Sequence, residues 1–380
     1  MVVPLLLHGK HAGPMATVTY EPFGPWIVPW RFSSFEEECQ TLRTGIGLID
    51  YSSQALIECR GADRASFLHR LLTNDIAGLS PGAGCQAALL TPSAKLMAVV
   101  LVLADPDSLW LLCDLPRAGV VVQTLERYLF SEEVTLLNHE RRKAVLALQG
   151  PRTVELCTQL VGTVASLPRP GDHVAVSLQG FPIRLIRHSL TGGAGALCVI
   201  DADHAETMWR LLTQRGQSVG LRLVGWEALN AARIEAGLPW FGIDMDDTNL
   251  LPETGCERVA ASESKGCYLG QEIVARMQTY GSPNKKLMGL LIEGNHVPEA
   301  GDPITRDDEE LGKITSACRS PTLKRPIAMG YLKRGAYEPG MVVEILRSTA
   351  RLKATVAARP LVSPASDTRR AGDVAIFPSG

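Results

Sequence analysis

The sequence has 380 residues, a hydrophobic fraction of 46% and a charged fraction of 21%, which together predict a globular protein of two or three domains. Its formal net charge of −2 gives no general attraction to nucleic acid or to an anionic membrane surface. No apolar run is as long as a membrane-spanning helix, and the apolar run at the N-terminus is too short for a secretory signal. These features favour a cytoplasmic protein that binds neither nucleic acid nor membranes.

The predicted elements begin after residues 1–30, which are rich in Gly and Pro and which we interpret as a loose N-terminal extension. Ser34, followed by acidic residues, predicts a capped helix that ends at Gly45. Asp63 is predicted to open the next amphipathic helix, and Asp114 to cap a third. Further along, Pro151 is predicted to begin a helix and Asp203 to cap another. Apolar segments between these helices predict the strands 55–59, 86–90, 97–103, 109–113 and 144–148.

Strands separated by helices occur in two blocks, which predict two α+β domains over residues 31–150 and 151–283. After Pro283 the pattern changes to short alternating segments between Gly and Pro turns, which predict a small β-barrel or jelly-roll domain over 284–363. Residues 364–380 are predicted to be a loose tail. Near the N-terminus, Met15 is a second candidate for the first residue of the protein.

The nine cysteines include no C-x-x-C pair, so the sequence predicts no metal site and a reducing compartment. One of them, Cys267, lies in the segment K-G-C-Y-L-G-Q-E at residues 265–272. Gly266 and Gly270 flank it, and a predicted helix begins directly afterwards. A helix N-terminus and the nearby Lys265 would favour the thiolate, which makes Cys267 a candidate reactive thiol. The alternative is an inert cysteine in a structural turn.

Five segments, taken in chain order, resemble the glycine-cleavage T-protein (aminomethyltransferase) superfamily. They are L-L-T-N-D-I at 71–76, A-L-Q-G-P at 147–151, R-I-E-A-G-L at 233–238, T-S-A-C-R-S-P-T at 315–322 and K-R-G-A-Y-E-P-G at 333–340. The resemblance implies a three-domain cloverleaf, in which two α+β (ferredoxin-like) units and a C-terminal β-barrel surround a central channel. It also implies that the channel binds tetrahydrofolate or a one-carbon derivative. The candidate folate-binding residues are Arg233, Asp244, Glu253 and Asn74.

The sequence departs from the catalytic members of that superfamily at three positions. Ala98 and Val99 stand where the transferases carry an Asp pair, and Gly193 replaces a Glu that binds the pterin. Since proton transfer to the folate needs a carboxylate, one would have to come from elsewhere, and Asp244 and Glu253 are the candidates.

The segment 265–272 fits the K-G-C-[F/Y]-x-G-Q-E motif of the YgfZ-type folate-binding branch. This resemblance implies an accessory factor for iron–sulfur cluster assembly or maintenance and for tRNA modification, with iron–sulfur proteins or assembly factors as partners. In this hypothesis Cys267 acts at the mouth of the channel, Lys265 supports its thiolate, and the loop is held by Gly266, Tyr268, Gly270, Gln271 and Glu272. The alternatives are a tetrahydrofolate-dependent aminomethyltransferase or related demethylase, and a folate-binding scaffold without catalysis.

Overall fold

The computed structural model describes residues 2–11, 17–162, 167–347 and 350–363, and only the backbone of 278–280. The predicted tail at 364–380 and the candidate start at Met15 lie outside the described residues. Within the described ranges, no helix has both the length and the apolar character needed to cross a membrane.

The described part of the N-terminal segment forms a small sheet, so the prediction of a loose extension was wrong. Its strands are β1 (Val3–Pro4), β2 (Thr19–Phe23) and β3 (Trp26–Arg31), which pair in the order β1-β3-β2. Trp26 and Val28 are buried in the largest hydrophobic core, against residues from later parts of the chain. The segment has little local periodicity because long-range packing, and not a regular local pattern, holds it in place.

The next block contains the five-stranded antiparallel sheet β6-β7-β8-β5-β9. Where both faces of a strand are buried, the residues on both faces are apolar. The run M-A-V-V-L-V-L of β7 is an example. All the strands predicted in this block are present. The elements are α1 (Phe35–Thr44), β4 (Ile46–Asp50), β5 (Gln54–Arg60), α2 (Arg64–Leu71), β6 (Gly84–Leu90), β7 (Leu96–Ala104), β8 (Ser108–Asp114), α3 (Ala118–Glu126), β9 (Thr135–Asn138) and β10 (Lys143–Gln149).

The second block completes a six-stranded sheet of order β11-β12-β13-β10-β4-β14, in which β14 pairs parallel to β4. Strands β4 and β10 precede residue 150 and the other strands follow it, so the two predicted α+β blocks share this sheet. The division into domains at residue 150 stays a prediction. The elements are α4 (Thr153–Val161), β11 (His173–Leu178), β12 (Phe181–Arg187), β13 (Gly195–Asp201), α5 (Ala205–Gly216), β14 (Leu221–Leu223), α6 (Trp226–Glu235), α7 (Leu251–Thr254), α8 (Glu257–Ala260) and α9 (Gln271–Tyr280).

The C-terminal part is a closed six-stranded barrel of order β15-β18-β17-β16-β19-β20. Its strands are β15 (Lys285–Ile292), β16 (Pro303–Arg306), β17 (Glu309–Ser320), β18 (Arg325–Lys333), β19 (Val342–Arg347) and β20 (Ala350–Ala357). Helix α6 packs against α1, β3 and the barrel strand β17, so it connects all parts of the protein. The predicted α+β fold with a C-terminal β-barrel is confirmed.

Helix ends show where local sequence signals hold. Ser34 Oγ accepts the amide of Glu37 and caps α1, as predicted. Asp114 and Asp203 do not cap α3 and α5, because a 3₁₀ turn precedes each helix and neither aspartate makes a capping hydrogen bond. Pro151 does not open α4 either, since that helix begins two residues later.

Candidate functional site

A cavity of about 350 Å³ lies among the turn between β2 and β3, the end of β8, the start of α6 and residues 240–247. We call it the aromatic chamber, because much of its wall is aromatic. The aromatic lining residues are Phe23, Trp26, Tyr51, Trp226, Trp240 and Phe241.

The aromatic wall is a connected set of rings. The centroid of Trp226 lies 5.4 Å from that of Trp240, 5.7 Å from that of Phe23 and 5.9 Å from that of Tyr51. The indole Nε1 of Trp226 donates to the carbonyl of Asp50 at 2.9 Å. These contacts hold flat apolar surfaces in fixed positions, which suits a planar ligand.

The carboxyl group of Asp114, at the end of β8, lines the chamber together with those of Asp246 and Asp247, and of these three only Asp114 is not exposed. Gln54 Nε2 donates to its Oδ1 at 2.8 Å. Burial raises the pKa of Asp114 to about 6, although the Gln54 hydrogen bond and the charge of Arg117 act in the opposite direction. The chamber therefore contains a carboxyl group that exchanges its proton close to neutral pH.

The cation of the chamber is Arg117, just before α3. Its Nε donates to the carbonyl of Met97 at 2.8 Å, and its guanidinium lies 4.7 Å from the ring centroid of Phe241. Neither Nη nitrogen has a hydrogen-bond partner in the part of the chain that the structure describes. Arg117 is thus anchored through one nitrogen, and the other two remain available to an anionic ligand.

Arg233 and Asp244, two of the predicted folate-binding residues, lie elsewhere. Both side chains are fully buried and form an ion pair, and Arg233 also donates to Ser316 at 2.7 Å and to Asn230 at 2.9 Å. Asp244 accepts from Ser316 and Thr315 as well, so it has no free oxygen. The pair joins α6 to the barrel, and the structure does not place either residue in the chamber wall.

The side chains of Asn74 and Lys265 also form hydrogen bonds within the protein, near the end of α2. The Nζ of Lys265 donates to three backbone carbonyls, those of His69, Leu72 and Asn74, and burial lowers the pKa of this lysine to about 8. The side chain of Asn74 donates to the carbonyls of Gln86 and Val259. The ammonium group of Lys265 is therefore directed at carbonyls at the end of α2, and its support of a Cys267 thiolate stays a prediction.

The rest of the segment 265–272 packs on the turn between β6 and β7. Tyr268 is buried there, and Gly270 has a φ of 81° and passes so close that an added Cβ would lie 2.7 Å from the carbonyl of Thr91. Cys267 and Gly266 are exposed. None of these four residues lines the chamber.

Two further residues of the segment begin α9. The side chain of Gln271 accepts the amide of Tyr268 at 3.4 Å, which helps to hold the loop as predicted. Glu272 pairs with Arg276 at 2.8 Å on the helix surface, where both are largely exposed. Within the described residues, the ion pair of Glu272 is therefore made within α9 and not with the loop that it was predicted to hold.

The second candidate carboxylate, Glu253, caps the short helix α7. It accepts the amide of Leu250 at 3.0 Å and lies 3.7 Å from Lys285 of the barrel. Gly193 lines a separate cavity of about 60 Å³, and Ala98 is buried on β7. The candidate residues chosen from the sequence therefore do not converge on one site, whereas Asp114 and Arg117, which the sequence did not single out, do.

The raised pKa of Asp114 gives a testable dependence of stability on pH. Because the folded-state pKa of about 6 exceeds the value of 3.8 for an unperturbed aspartate, the contribution of Asp114 to the free energy of unfolding falls as the pH rises from 4 to 6. We expect the Asp114→Asn variant to lose less, by about 1–3 kcal/mol between pH 4 and pH 7. Urea unfolding at several pH values measures this difference. Asp107→Asn, an exposed change at the other end of β8, should follow the wild type at every pH.

Comparisons with known proteins agree with the fold. Residues 8–263 match the GCVT N-terminal domain family, and residues 285–363 match the glycine cleavage T-protein C-terminal barrel domain. An aminomethyltransferase of Streptomyces avermitilis is 28% identical over 338 residues, covering 88% of this chain and 90% of that one. One from Synechococcus sp. (strain CC9902) is 29% identical over 364 residues, covering 89% and 94%. The crystal structure of the glycine cleavage system aminomethyltransferase T from Bartonella henselae has a TM-score of 0.84 at 22% identity, covering 96% and 99% of the two chains.

These relatives correct the leading functional prediction. They are named aminomethyltransferases and match over nearly the whole chain, which contradicts an accessory role in iron–sulfur cluster assembly. The YgfZ-type branch is not confirmed, and iron–sulfur partners have no support. The two domain matches together extend over most of the sequence, and the chain belongs to the glycine cleavage T-protein family.

Proposed function

We propose that this protein is a tetrahydrofolate-dependent aminomethyltransferase and that it binds the reduced folate in the aromatic chamber. The observation that carries the proposal is the combination of flat aromatic walls with the partly buried carboxyl group of Asp114 and the partly free guanidinium of Arg117 in a single cavity. The names of the relatives support the reaction class, and the chamber supports the site.

The size and chemistry of the chamber fit the cofactor. Its volume of about 350 Å³ falls within the range of roughly 300–1,000 Å³ that is usual for small-molecule sites. Tetrahydrofolate has a pterin ring, which suits the faces of Trp226 and Trp240, and a glutamate tail, whose carboxylates suit the two free nitrogens of Arg117. When bound, it supplies the nitrogen atoms that accept a one-carbon unit.

The residues of the chain perform two tasks in this proposal. The rings of Trp226 and Trp240, held 5.4 Å apart, orient the pterin and exclude water from its face. Arg117, anchored to the carbonyl of Met97, fixes the anionic end of the ligand. The carboxyl group of Asp114 lines the same chamber.

Arg117→Met is expected to weaken the binding of tetrahydrofolate by about 10- to 100-fold, because one charge-assisted hydrogen-bonded pair is worth roughly 1.5–3 kcal/mol. Anaerobic calorimetry measures the dissociation constant. Arg127→Met, an exposed arginine at the end of α3, is the matched control and should bind as the wild type does. If the wild type bound no tetrahydrofolate at millimolar concentration, the proposal that the chamber binds folate would be wrong.

The transfer itself is tested by measuring ammonia released from an aminomethyl donor in the presence and absence of tetrahydrofolate. We expect folate-dependent release that persists in Cys267→Ala, since Cys267 lies outside the chamber. Folate binding without turnover would contradict the transferase function and leave a folate-binding scaffold. Loss of turnover in Cys267→Ala, with folate binding intact, would place the chemistry at the segment 265–272 instead.

A further inference from the structure

Asp114 lines the chamber and has one carboxylate oxygen without a hydrogen-bond partner among the described residues. It ends β8, the strand paired with β7, and β7 is the strand that carries Ala98 and Val99. Its Oδ1 is occupied by Gln54, which lies opposite on β5. The second oxygen, Oδ2, has no hydrogen-bond partner within the described ranges, and the residue lines the chamber.

Other ionisable groups around the chamber do not duplicate this carboxyl group. Asp246 and Asp247 also line the chamber, but both are exposed to solvent, and Asp246 Oδ1 accepts the amide and the hydroxyl of Thr248. Burial raises the pKa of Tyr51 far above its usual range, which keeps its phenol protonated. Cys113, next to Asp114, has its thiol pKa raised by burial in the same way.

Arg117 is the remaining charged group that faces Asp114. It favours the ionised carboxylate, whereas the aromatic surroundings disfavour it, and the balance leaves the pKa near 6. A group of this kind exchanges a proton easily at neutral pH, which is the property required of a general acid.

We propose that Asp114 is the proton donor and acceptor of the chamber, acting directly on a basic nitrogen of the ring system bound against Trp226 and Trp240. The inference rests on the proposed function, since it assigns a group to the folate that the chamber is proposed to hold. It also explains how the chain dispenses with a carboxylate at positions 98 and 99.

The proton balance of the step is simple. The O–H of Asp114 gives its proton to the ring nitrogen, which becomes positively charged, and the O–H bonding pair stays on the carboxylate. Gln54 and Arg117 stabilise that carboxylate, the first by its hydrogen bond and the second by its charge. When the ring nitrogen loses a proton in turn, Asp114 accepts it and returns to its acid form, so no other reactant is consumed.

Asp114→Asn tests the proposal, because asparagine keeps the shape and can still accept from Gln54 but cannot transfer a proton. We expect its kcat/KM for folate-dependent ammonia release to fall by about 100-fold or more, and the change in rate near pH 6 to disappear. The dissociation constant for tetrahydrofolate, followed by tryptophan fluorescence, should change by less than about 10-fold at pH 7 and should lose its dependence on pH between 5 and 7. Asp107→Asn is the matched control and should keep the wild-type rate and pH profile.

The outcomes separate this inference from the proposed function. If the wild type binds and turns over folate but Asp114→Asn keeps its rate and pH profile, only the role of Asp114 is overturned. If the wild type binds no tetrahydrofolate, the proposed function is overturned and the inference is overturned with it. If the wild type binds folate without turnover, a pH dependence of binding that persists in Asp114→Asn overturns the inference, and one that vanishes supports Asp114 as the group that shares a proton with the ligand.

Discussion

Arg233→Met is expected to lower the free energy of unfolding by about 3–5 kcal/mol, because it leaves Asp244 as an uncompensated charge in the interior. Both partners of the pair are fully buried, and Arg233 also binds Ser316 of the barrel and Asn230 of α6. Its guanidinium further lies 4.6 Å from the ring centroid of Trp240, so the loss removes packing as well as charge. Equilibrium unfolding in urea at pH 7 measures the effect.

The surface pair of α9 provides the matched control for that experiment. Arg276→Met removes an arginine from a pair of similar length, Arg276 with Glu272, but both side chains are largely exposed. We expect a change below about 0.5 kcal/mol there, because water and salt screen such pairs. A variant of Arg233 that folds with wild-type stability and fails only in folate binding would restore Arg233 as a ligand-binding residue.

Lys265→Met is expected to have the second largest effect, a loss of about 3 kcal/mol of stability. The variant leaves three backbone carbonyls at the end of α2 without their shared donor, and buried unsatisfied acceptors cost roughly 1–3 kcal/mol each, less when they relax together. Chemical unfolding, compared with the exposed and unbonded side chain in Lys95→Met, measures it.

The same variant tests the earlier hypothesis about Cys267. Because the ammonium group of Lys265 is committed to α2, we expect alkylation of Cys267 under native conditions to proceed at the wild-type rate in Lys265→Met. A rate several-fold slower, with stability unchanged, would show that Lys265 does support the thiolate.

Sequence patterns predicted the parts of the fold that depend on neighbouring residues. Ser34 and the acidic residues after it specify a helix start locally, and alternating segments between turns specify the strands of the barrel. The N-terminal sheet escaped prediction because its apolar residues, Trp26 among them, pack against parts of the chain far away in sequence. The local pattern of apolar residues does not identify such distant partners.

The site was harder to predict for a related reason. The sequence does not show whether an arginine in a motif contacts a ligand or pairs with a buried aspartate. The partners of Arg233 are Asp244, on another segment, and Ser316, in the barrel. Asp114 was interpreted as a helix cap because it precedes an amphipathic run. The turn of residues 115–117 separates it from α3 and turns its side chain toward the chamber. Only the tertiary arrangement distinguishes these roles.

The N-terminal sheet also has a consequence for how the ligand site is assembled. Phe23 and Trp26 are synthesised first, whereas Trp226 and Trp240, whose rings contact that of Phe23, follow only after most of the two sheets has been made. Contacts of such sequence separation carry a high entropic cost of closure and form late in folding. A molecule that fills the chamber contacts both ends of this long loop, and because it binds only when the loop is closed, its binding free energy adds to the stability of the closed chain.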